Sequence, residues 1–260
     1  MQNYRMSIAF NGSRYAGWQR QKDAPSVQQT VEETLRSVFH EDTLSVTGCG
    51  RTDAGVHAQE MTLSFKTAEP IAAEQLSALL NRRLPHDLRL LDLSFADPDF
   101  NAHRSACGKA YVYAVHTGSY NVFLKELCWD WPEIRFPDEV KKSLNLIAGT
   151  HDFRSFTGKK ADTCTVRTIH RAELIPFGPL WCFYFSGSGF LYKMVRRLTG
   201  LLYEVALGKK SADDLKNMLA HPAVPPDDIM VAPPQGLYLR KTFYAPDEWK
   251  SDELRLPPFL

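Results

Sequence analysis

The stretch GCGRTDAGVHAQEMTLSF, residues 48–65, places a glycine-rich turn directly before a strand pattern. From Met61 onward every second residue is apolar, and this period of two predicts a strand over residues 59–65. The three glycines make a continuous helix across the turn unfavourable. Because rigid scaffolds present reactive side chains on turns at strand ends, we expect functional residues here.

Patterns on both sides of this stretch extend the first half of the chain to the order βαββαβ. Ser26 and Gln29 have the spacing of a capping box and predict a helix start, and Pro85 ends a second helix. The predicted elements of this half are strands at 4–10, 43–47, 59–65 and 88–95, and helices at 26–39 and 76–84.

A second α/β series begins near residue 106. Its predicted elements are strands at 110–117, 166–175, 181–186 and 236–244, and helices at 140–147, 190–207 and after Ser211. Two series with more strands than helices predict an α+β fold of two similar halves, with mostly antiparallel sheets and helices on one face. The expected boundaries are 1–105, 106–245 and a tail at 246–260.

Composition excludes several classes of protein. The chain has 260 residues, of which 44% are hydrophobic and 23% charged, as in soluble globular proteins. Its five cysteines contain no C-x-x-C pair, which argues against a disulfide framework or a zinc ribbon. We expect a cytoplasmic protein without a membrane span. A net charge of +1 means that any nucleic-acid surface must be local.

Asp53, inside the opening stretch, has several chemical interpretations. It occupies the position where a dinucleotide fingerprint needs a small residue, and no P-loop pattern follows. Asp53 and His57 have the spacing of metal ligands, but no third ligand lies nearby in the sequence. A helix cap or an Asx-turn is the common structural alternative for such an aspartate.

The stretch GCGRTDAGVHA resembles the catalytic loop of the TruA family of tRNA pseudouridine synthases, whose signature is R-T-D-A-G-V-H. Five further segments resemble family motifs in the same order. They are YAGWQRQ (15–21) with SVQ (26–28), FNA to YVY (100–113), GTHDF to Phe156 (149–156), FLYKMVR (190–196), and AP to GLYL (232–239).

The resemblance implies a reaction without cofactor or metal, in which Asp53 is the essential carboxylate. A carboxylate in an apolar pocket needs a cation to stay ionised, and the resemblance favours Arg196 for this ion pair. Arg51 is then expected to contact RNA phosphate. Tyr111 corresponds to the family's tyrosine that stacks on the target base, although a half-buried strand aromatic is its structural alternative.

Three more residues are candidates for substrate binding. Leu237 is expected to form an apolar wall of the pocket, although core packing explains it equally well. Lys193 and Arg197 share a helical face with Arg196, a spacing that suits either a phosphate track or a solvated face. Asn101, His103 and Lys109 depart from the family pattern, so their contribution to RNA binding is open.

The resemblance implies that uridines 38, 39 and 40 of the tRNA anticodon stem-loop are the targets. It also implies a homodimer and an active-site cleft between the two halves. Two alternatives from other classes stay open. One is a tRNA-binding or folding chaperone in which the chemistry is secondary, and the other is a metal-dependent hydrolase that uses Asp53, His57 and His151.

Overall fold

The computed structural model describes residues 1–158, 164–223 and 229–252. The chain forms two compact units. Unit 1 comprises Met1–Ala106 and Leu239–Ala245, and unit 2 comprises Cys107–Tyr238 and the chain from Pro246 onward. The first segment of unit 2, residues 107–238, is therefore inserted into the sequence of unit 1. The described residues contain five α-helices and strands that pair mostly antiparallel, which confirms the predicted fold class.

Unit 1 is a sheet in the order β4-β1-β3-β10, with β1 antiparallel to both β3 and β4. The short β2 pairs with β3 through Thr47 and Gly48. The elements of this unit in chain order are β1 (Gln2–Phe10), α1 (Val27–Phe39), β2 (Thr47–Gly48), β3 (His57–Thr67), α2 (Ala73–Arg83) and β4 (Leu88–Phe95), to which β10 (Leu237–Phe243) is added by its last five residues.

The core of unit 1 forms between α1 and the sheet. The aromatic ring of Tyr4 on β1 stacks on Phe65 of β3 with centroids 4.8 Å apart, and Phe39 at the end of α1 lies 6.3 Å from Tyr4. Val31 and Leu35 on the same helical face are fully buried. The 3.6-residue period of α1 and the two-residue period of the strands thus meet in one apolar layer.

Within unit 2 the strands follow the order β5-β9-β8-β7 and pair antiparallel, except for the short β6, which is parallel to β5. Its elements are β5 (Gly108–His116), β6 (Trp129–Asp130), α3 (Pro137–Ile147), β7 (Gly149–Asp152), β8 (Val166–Phe177), β9 (Leu180–Gly187), α4 (Met194–Ala206) and α5 (Ala212–Ala220). Helix α4 packs on this sheet through Tyr203, whose ring lies 5.1 Å from the fully buried Trp131.

Three sequence expectations need correction. The helix predicted over 190–207 begins only at Met194, because Lys193 adopts a left-handed conformation with φ 59°. The strand predicted over 43–47 is reduced to Thr47–Gly48. Residues 239–245, assigned from sequence to the second half, belong to unit 1 because the last part of β10 lies beside β3.

Two expectations concern residues at the margins of the described chain. Part of the predicted tail, residues 246–252, contains a short 3-10 turn (Glu248–Lys250), whereas 253–260 lie outside the described residues. Within the described ranges, none of the helices combines the length and apolarity of a membrane span.

Candidate active site

Asp53 lies in a turn between β2 and β3, the Asp53 loop (residues 49–56), and is half-buried. The carbonyl of Asp53 accepts from the amide of Val56 at 3.2 Å, and Gly55 has φ +77°. A turn with positive φ at its third residue favours glycine at that position. The backbone around Asp53 is therefore a closed turn and not a helix start.

The Asp53 loop is joined to residues 15–18 by two backbone hydrogen bonds. Trp18 donates its amide to the carbonyl of Thr52 at 3.2 Å, and Gly55 donates to the carbonyl of Tyr15 at 3.2 Å. The two bonds flank Asp53 on both sides in the sequence. Together they restrict the loop as two backbone hydrogen bonds between paired strands would.

Two glycines allow this close approach. A β-carbon on Gly17 would stand 2.5 Å from the carbonyl oxygen of Thr52, and one on Gly12 would stand 2.0 Å from the carbonyl oxygen of Val56. Gly17 also has φ +98°, which other residues adopt only with strain. The neighbouring chain can lie against the Asp53 loop only because these side chains are absent.

The start of α1 anchors the same segment. Val27 donates its amide to the carbonyl of Gly17 at 3.2 Å, and Gln28 donates to the carbonyl of Trp18 at 2.9 Å. Ser26 caps the helix by accepting from the amide of Gln29, as its spacing predicts. Three separate sequence motifs, at 15–21, 26–28 and 51–57, thus form one backbone network around Asp53.

His57 fastens the other end of the loop. Its Nδ1 accepts from the buried amide of Gly12 at 3.0 Å, and the side chain is almost completely buried. This hydrogen bond requires an unprotonated Nδ1. In the described structure, His57 therefore links β3 to the residues that follow β1 through a side-chain hydrogen bond.

A buried carboxylate positions the basic segment after Trp18. Glu32 on α1 accepts from both Nε and Nη2 of Arg20, at 3.0 and 2.8 Å, and from the amide of Val46 at 3.2 Å. Both donors of Arg20 point to the same oxygen, Oε2, and two hydrogen bonds to one acceptor give the guanidinium a defined orientation. Arg51, predicted to contact phosphate, lies exposed at the start of the Asp53 loop.

In unit 2, Arg196 is tied to the loop before β10. Its Nε donates to the carbonyl of Ala232 at 2.7 Å, and the amide of Ala232 donates back to the carbonyl of Arg196 at 3.0 Å. Arg196 is half-buried on the first turn of α4. The reciprocal pair fixes the orientation of the guanidinium relative to this loop.

Tyr113 connects that loop to the sheet. Its hydroxyl donates to the carbonyl of Pro233 at 2.7 Å, and a β-carbon on Gly236 would stand 2.5 Å from its ring. Burial raises the pKa of the Tyr113 phenol well above its ordinary value, while the positive charge of Arg196 acts in the opposite direction. The phenol therefore stays a neutral donor close to Arg196.

The remaining predicted residues of unit 2 are placed as follows. Tyr111 is half-buried on β5, and its ring meets Phe190 edge to face with centroids 4.9 Å apart. Leu237 is buried at the start of β10. Lys193 precedes α4, and Arg197 on its first turn has a buried Nε and Nη1 that find no hydrogen-bond partner within the described chain.

Comparison with known proteins gives the family. A family profile described as tRNA pseudouridine synthase matches residues 6–102 and 144–245. The protein named tRNA pseudouridine synthase A from Geobacillus sp. (strain WCH70) is 37% identical over 92% of this chain and 96% of its own length. The protein of the same name from Geobacillus kaustophilus (strain HTA426) is 38% identical over 94% and 95%.

The chain belongs to the tRNA pseudouridine synthase family. This membership confirms the sequence resemblance and makes the chain an isomerase that acts on tRNA. Among solved structures, the archaeal box H/ACA sRNP Nop10-Cbf5 complex matches with a TM-score of 0.35 and 10% identity, covering 77% of this chain and 43% of that one.

The departures from the family pattern have a local structural role. The side chain of Asn101 accepts from the amides of His103 and Arg104 at 3.1 and 2.9 Å, and so closes a turn that leaves both exposed. Lys109 is half-buried on β5. In the part of the chain that the structure describes, no three His, Cys, Asp or Glu side chains are grouped so as to hold a metal ion.

Sequence reasoning missed the residues that hold the site of this tRNA pseudouridine synthase family member. His57 belongs to the quoted signature, but its bond to Gly12 spans 45 residues and leaves no periodic signal. Glu32 is a charged residue within α1, and the helix pattern gives no sign that its side chain is buried. Tyr192, exposed directly before Lys193, occupies an unspecified position of the F-L-x-x-M-V-R motif, so the motif assigns it no role.

Proposed function

We propose that this chain converts uridine to pseudouridine at one or more of positions 38, 39 and 40 of the tRNA anticodon stem-loop, with Asp53 as the essential carboxylate. The observation that carries the proposal is the backbone network around Asp53. Two hydrogen bonds, two glycines and the start of α1 hold this one aspartate in a turn at the end of a strand. Such rigidity suits a group that must meet a reacting atom precisely.

The reaction is an isomerisation, so its atoms balance without a co-reactant. The bond between N1 of uracil and C1′ of ribose breaks, the base turns, and C5 bonds to C1′. The proton on C5 passes to solvent, and N1 takes up a proton. In this proposal the Asp53 carboxylate either attacks C1′ or removes the proton on C2′, and a deuterium isotope effect from C2′ would accompany only the second route.

The other predicted residues have separate roles in the proposal. Tyr111 stacks on the target uracil after the nucleotide leaves its helix, which costs a few kcal/mol. Aromatic stacking contributes about 1–3 kcal/mol per base and offsets that cost. Arg196 supplies the cation that the family chemistry requires. Leu237 forms the apolar wall, and Arg51, Lys193 and Arg197 contact phosphate.

The proposal also includes a homodimer in the cytoplasm. Family resemblance supports the dimer, and sedimentation of the purified protein alone and with tRNA tests it directly.

The deciding experiment is release of tritium from C5-labelled uridine in unmodified tRNA. We expect the intact protein to release tritium with or without EDTA, and Asp53→Asn to release none while binding tRNA with unchanged affinity. Substrates with uridine at only one of the three positions test the site preference. Binding without release by the intact protein would favour the chaperone alternative, and loss of release in EDTA would favour the hydrolase-type metal site.

A further inference from the structure

Tyr192 is an aromatic side chain that the reaction described above leaves without a role. It lies directly before Lys193 and α4, and 43% of its surface is exposed. Other tyrosines of unit 2, such as Tyr113, Tyr184 and Tyr238, are fully buried. The motif F-L-x-x-M-V-R does not specify the residues at the positions of Tyr192 and Lys193.

The Tyr192 ring is held by backbone. A β-carbon on Gly158 would stand 2.9 and 3.1 Å from Cδ1 and Cε1 of the ring, so a side chain at residue 158 would displace the ring from its present position. The amide of Gly158 also donates to the carbonyl of Tyr192 at 2.9 Å. An exposed ring that is held in this way loses little further freedom when a ligand packs on it.

Lys193 brings a positive charge to the same place. Its backbone is left-handed, with φ 59°, a conformation that costs a residue with a β-carbon about 1–2 kcal/mol. The Nζ atom lies 5.2 Å from the centroid of the Tyr192 ring, and the lysine stem packs beside Gly158. Strained backbone that persists is a reason to look for function.

An exposed aromatic ring with an ammonium group beside it suits one class of ligand, an unpaired nucleotide. The ring offers a surface for the base, and the ammonium group offers a charge for the phosphate. Arg196 lies three residues after Lys193, on the first turn of α4. The pair therefore lies directly before the helical turn that carries Arg196, a residue assigned to the reaction.

We propose that Tyr192 and Lys193 form a stacking site for an unpaired nucleotide of the tRNA other than the target uridine. The inference rests on the proposed function for the identity of the RNA. Stacking on Tyr192 orders the loop nucleotide, and Lys193 neutralises its phosphate. The site contributes to tRNA affinity and not to the chemical step.

The test is tRNA binding in an Asp53→Asn background, where no turnover occurs. We expect Tyr192→Ala to weaken binding by about 5- to 150-fold, as loss of one stacked base implies, and Tyr192→Phe to restore it. Lys193→Met should reduce the slope of log Kd against log salt by about 0.7–0.9, whereas Tyr192→Ala should leave the slope unchanged. Tyr120→Ala, which removes another exposed ring, is the matched control.

Turnover gives a second readout with Asp53 restored. Tyr192→Ala should raise KM and leave kcat unchanged, since uniform binding is lost. Affinity of Tyr192→Ala equal to that of Tyr120→Ala, or failure of Tyr192→Phe to restore binding, overturns the stacking site. A wild-type protein that releases no tritium overturns the proposed function instead, because the binding comparison does not depend on turnover.

Discussion

Gly17 packs so closely against Asp53 that a β-carbon on the glycine would stand 3.1 Å from the aspartate carbonyl carbon. Gly17 and Asp53 are 36 positions apart in the sequence, and their backbones touch only because Gly17 has no side chain. The position of the carboxylate therefore depends on a residue with no chemistry of its own.

We expect Gly17→Ala to reduce kcat for tritium release by at least tenfold and to destabilise the fold by about 1–3 kcal/mol, because the clash adds to the strain at φ +98°. Gly178→Ala is the control. Gly178 also has positive φ, +57°, but nothing lies within 4 Å of its added β-carbon. That variant should lose stability and keep its kcat. Equal loss of kcat in the two variants would show that the clash with the Asp53 loop does not cause the loss.

Substitutions of His57 test the hydrogen bond between β3 and the amide of Gly12. Asparagine has an acceptor near the position of the imidazole Nδ1, whereas leucine has none. We expect His57→Leu to lose about 1–3 kcal/mol, because the buried Gly12 amide is left without an acceptor, and to lose activity as the loop loosens. His57→Asn should recover most of both. Urea unfolding and kcat measure the two effects, and equal behaviour of the two variants would contradict the role of the acceptor.

Arg196 should not tolerate lysine. Its Nε bond to Ala232 orients the guanidinium, and the single nitrogen of lysine cannot keep that bond and also act as a planar fork. We expect Arg196→Lys to lower kcat/KM by about 10- to 100-fold, the value of a charged hydrogen bond. Arg135→Lys, at an exposed ion pair with Glu133, should leave kcat/KM unchanged. Full activity of Arg196→Lys would show that the reaction does not require the planar guanidinium group.

Stability should fall at alkaline pH partly through Tyr15. Burial, followed by the hydrogen bond to Asp87, raises the pKa of Tyr15 to about 12 from its ordinary value of 10.0. A raised folded-state pKa contributes stability that is complete below pH 10.0 and is lost as the pH rises toward about 12. One such group contributes at most about 1.4 kcal/mol per pH unit.

Tyr15→Phe tests this dependence. The free energy of unfolding of the variant should decline less steeply between pH 10 and 12 than that of the parent protein, because phenylalanine does not ionise. If urea unfolding shows the same decline in the free energy of unfolding for both proteins, Tyr15 does not contribute to the loss of stability at alkaline pH. Below pH 9 the variant should differ from the parent by a constant amount only.

Features that depend on residues close in the sequence could be predicted, whereas features that depend on contacts between distant residues could not. Helix α1 begins where Ser26 predicts, because capping involves only residues three apart. The predicted start of α4 at residue 190 was wrong. Lys193 adopts a left-handed conformation next to Gly158, a residue 35 positions away in the sequence. Asp53 could be selected from a signature, but the bonds that hold it join distant backbone atoms and depend on no side-chain pattern.

The insertion of unit 2 into unit 1 sets an order for events on the ribosome. Residues 1–106 leave first, but the part of β10 that lies beside β3 is made only after residues 107–238 of unit 2. At about 5–20 residues per second, the interval is roughly 7 to 26 s. During that time β3 lacks its neighbour β10, and the part of its edge that β2 does not cover is the kind of surface to which other nascent chains or chaperones add a strand. The last residues of β10 thus end the period in which the growing polypeptide is exposed to misassembly.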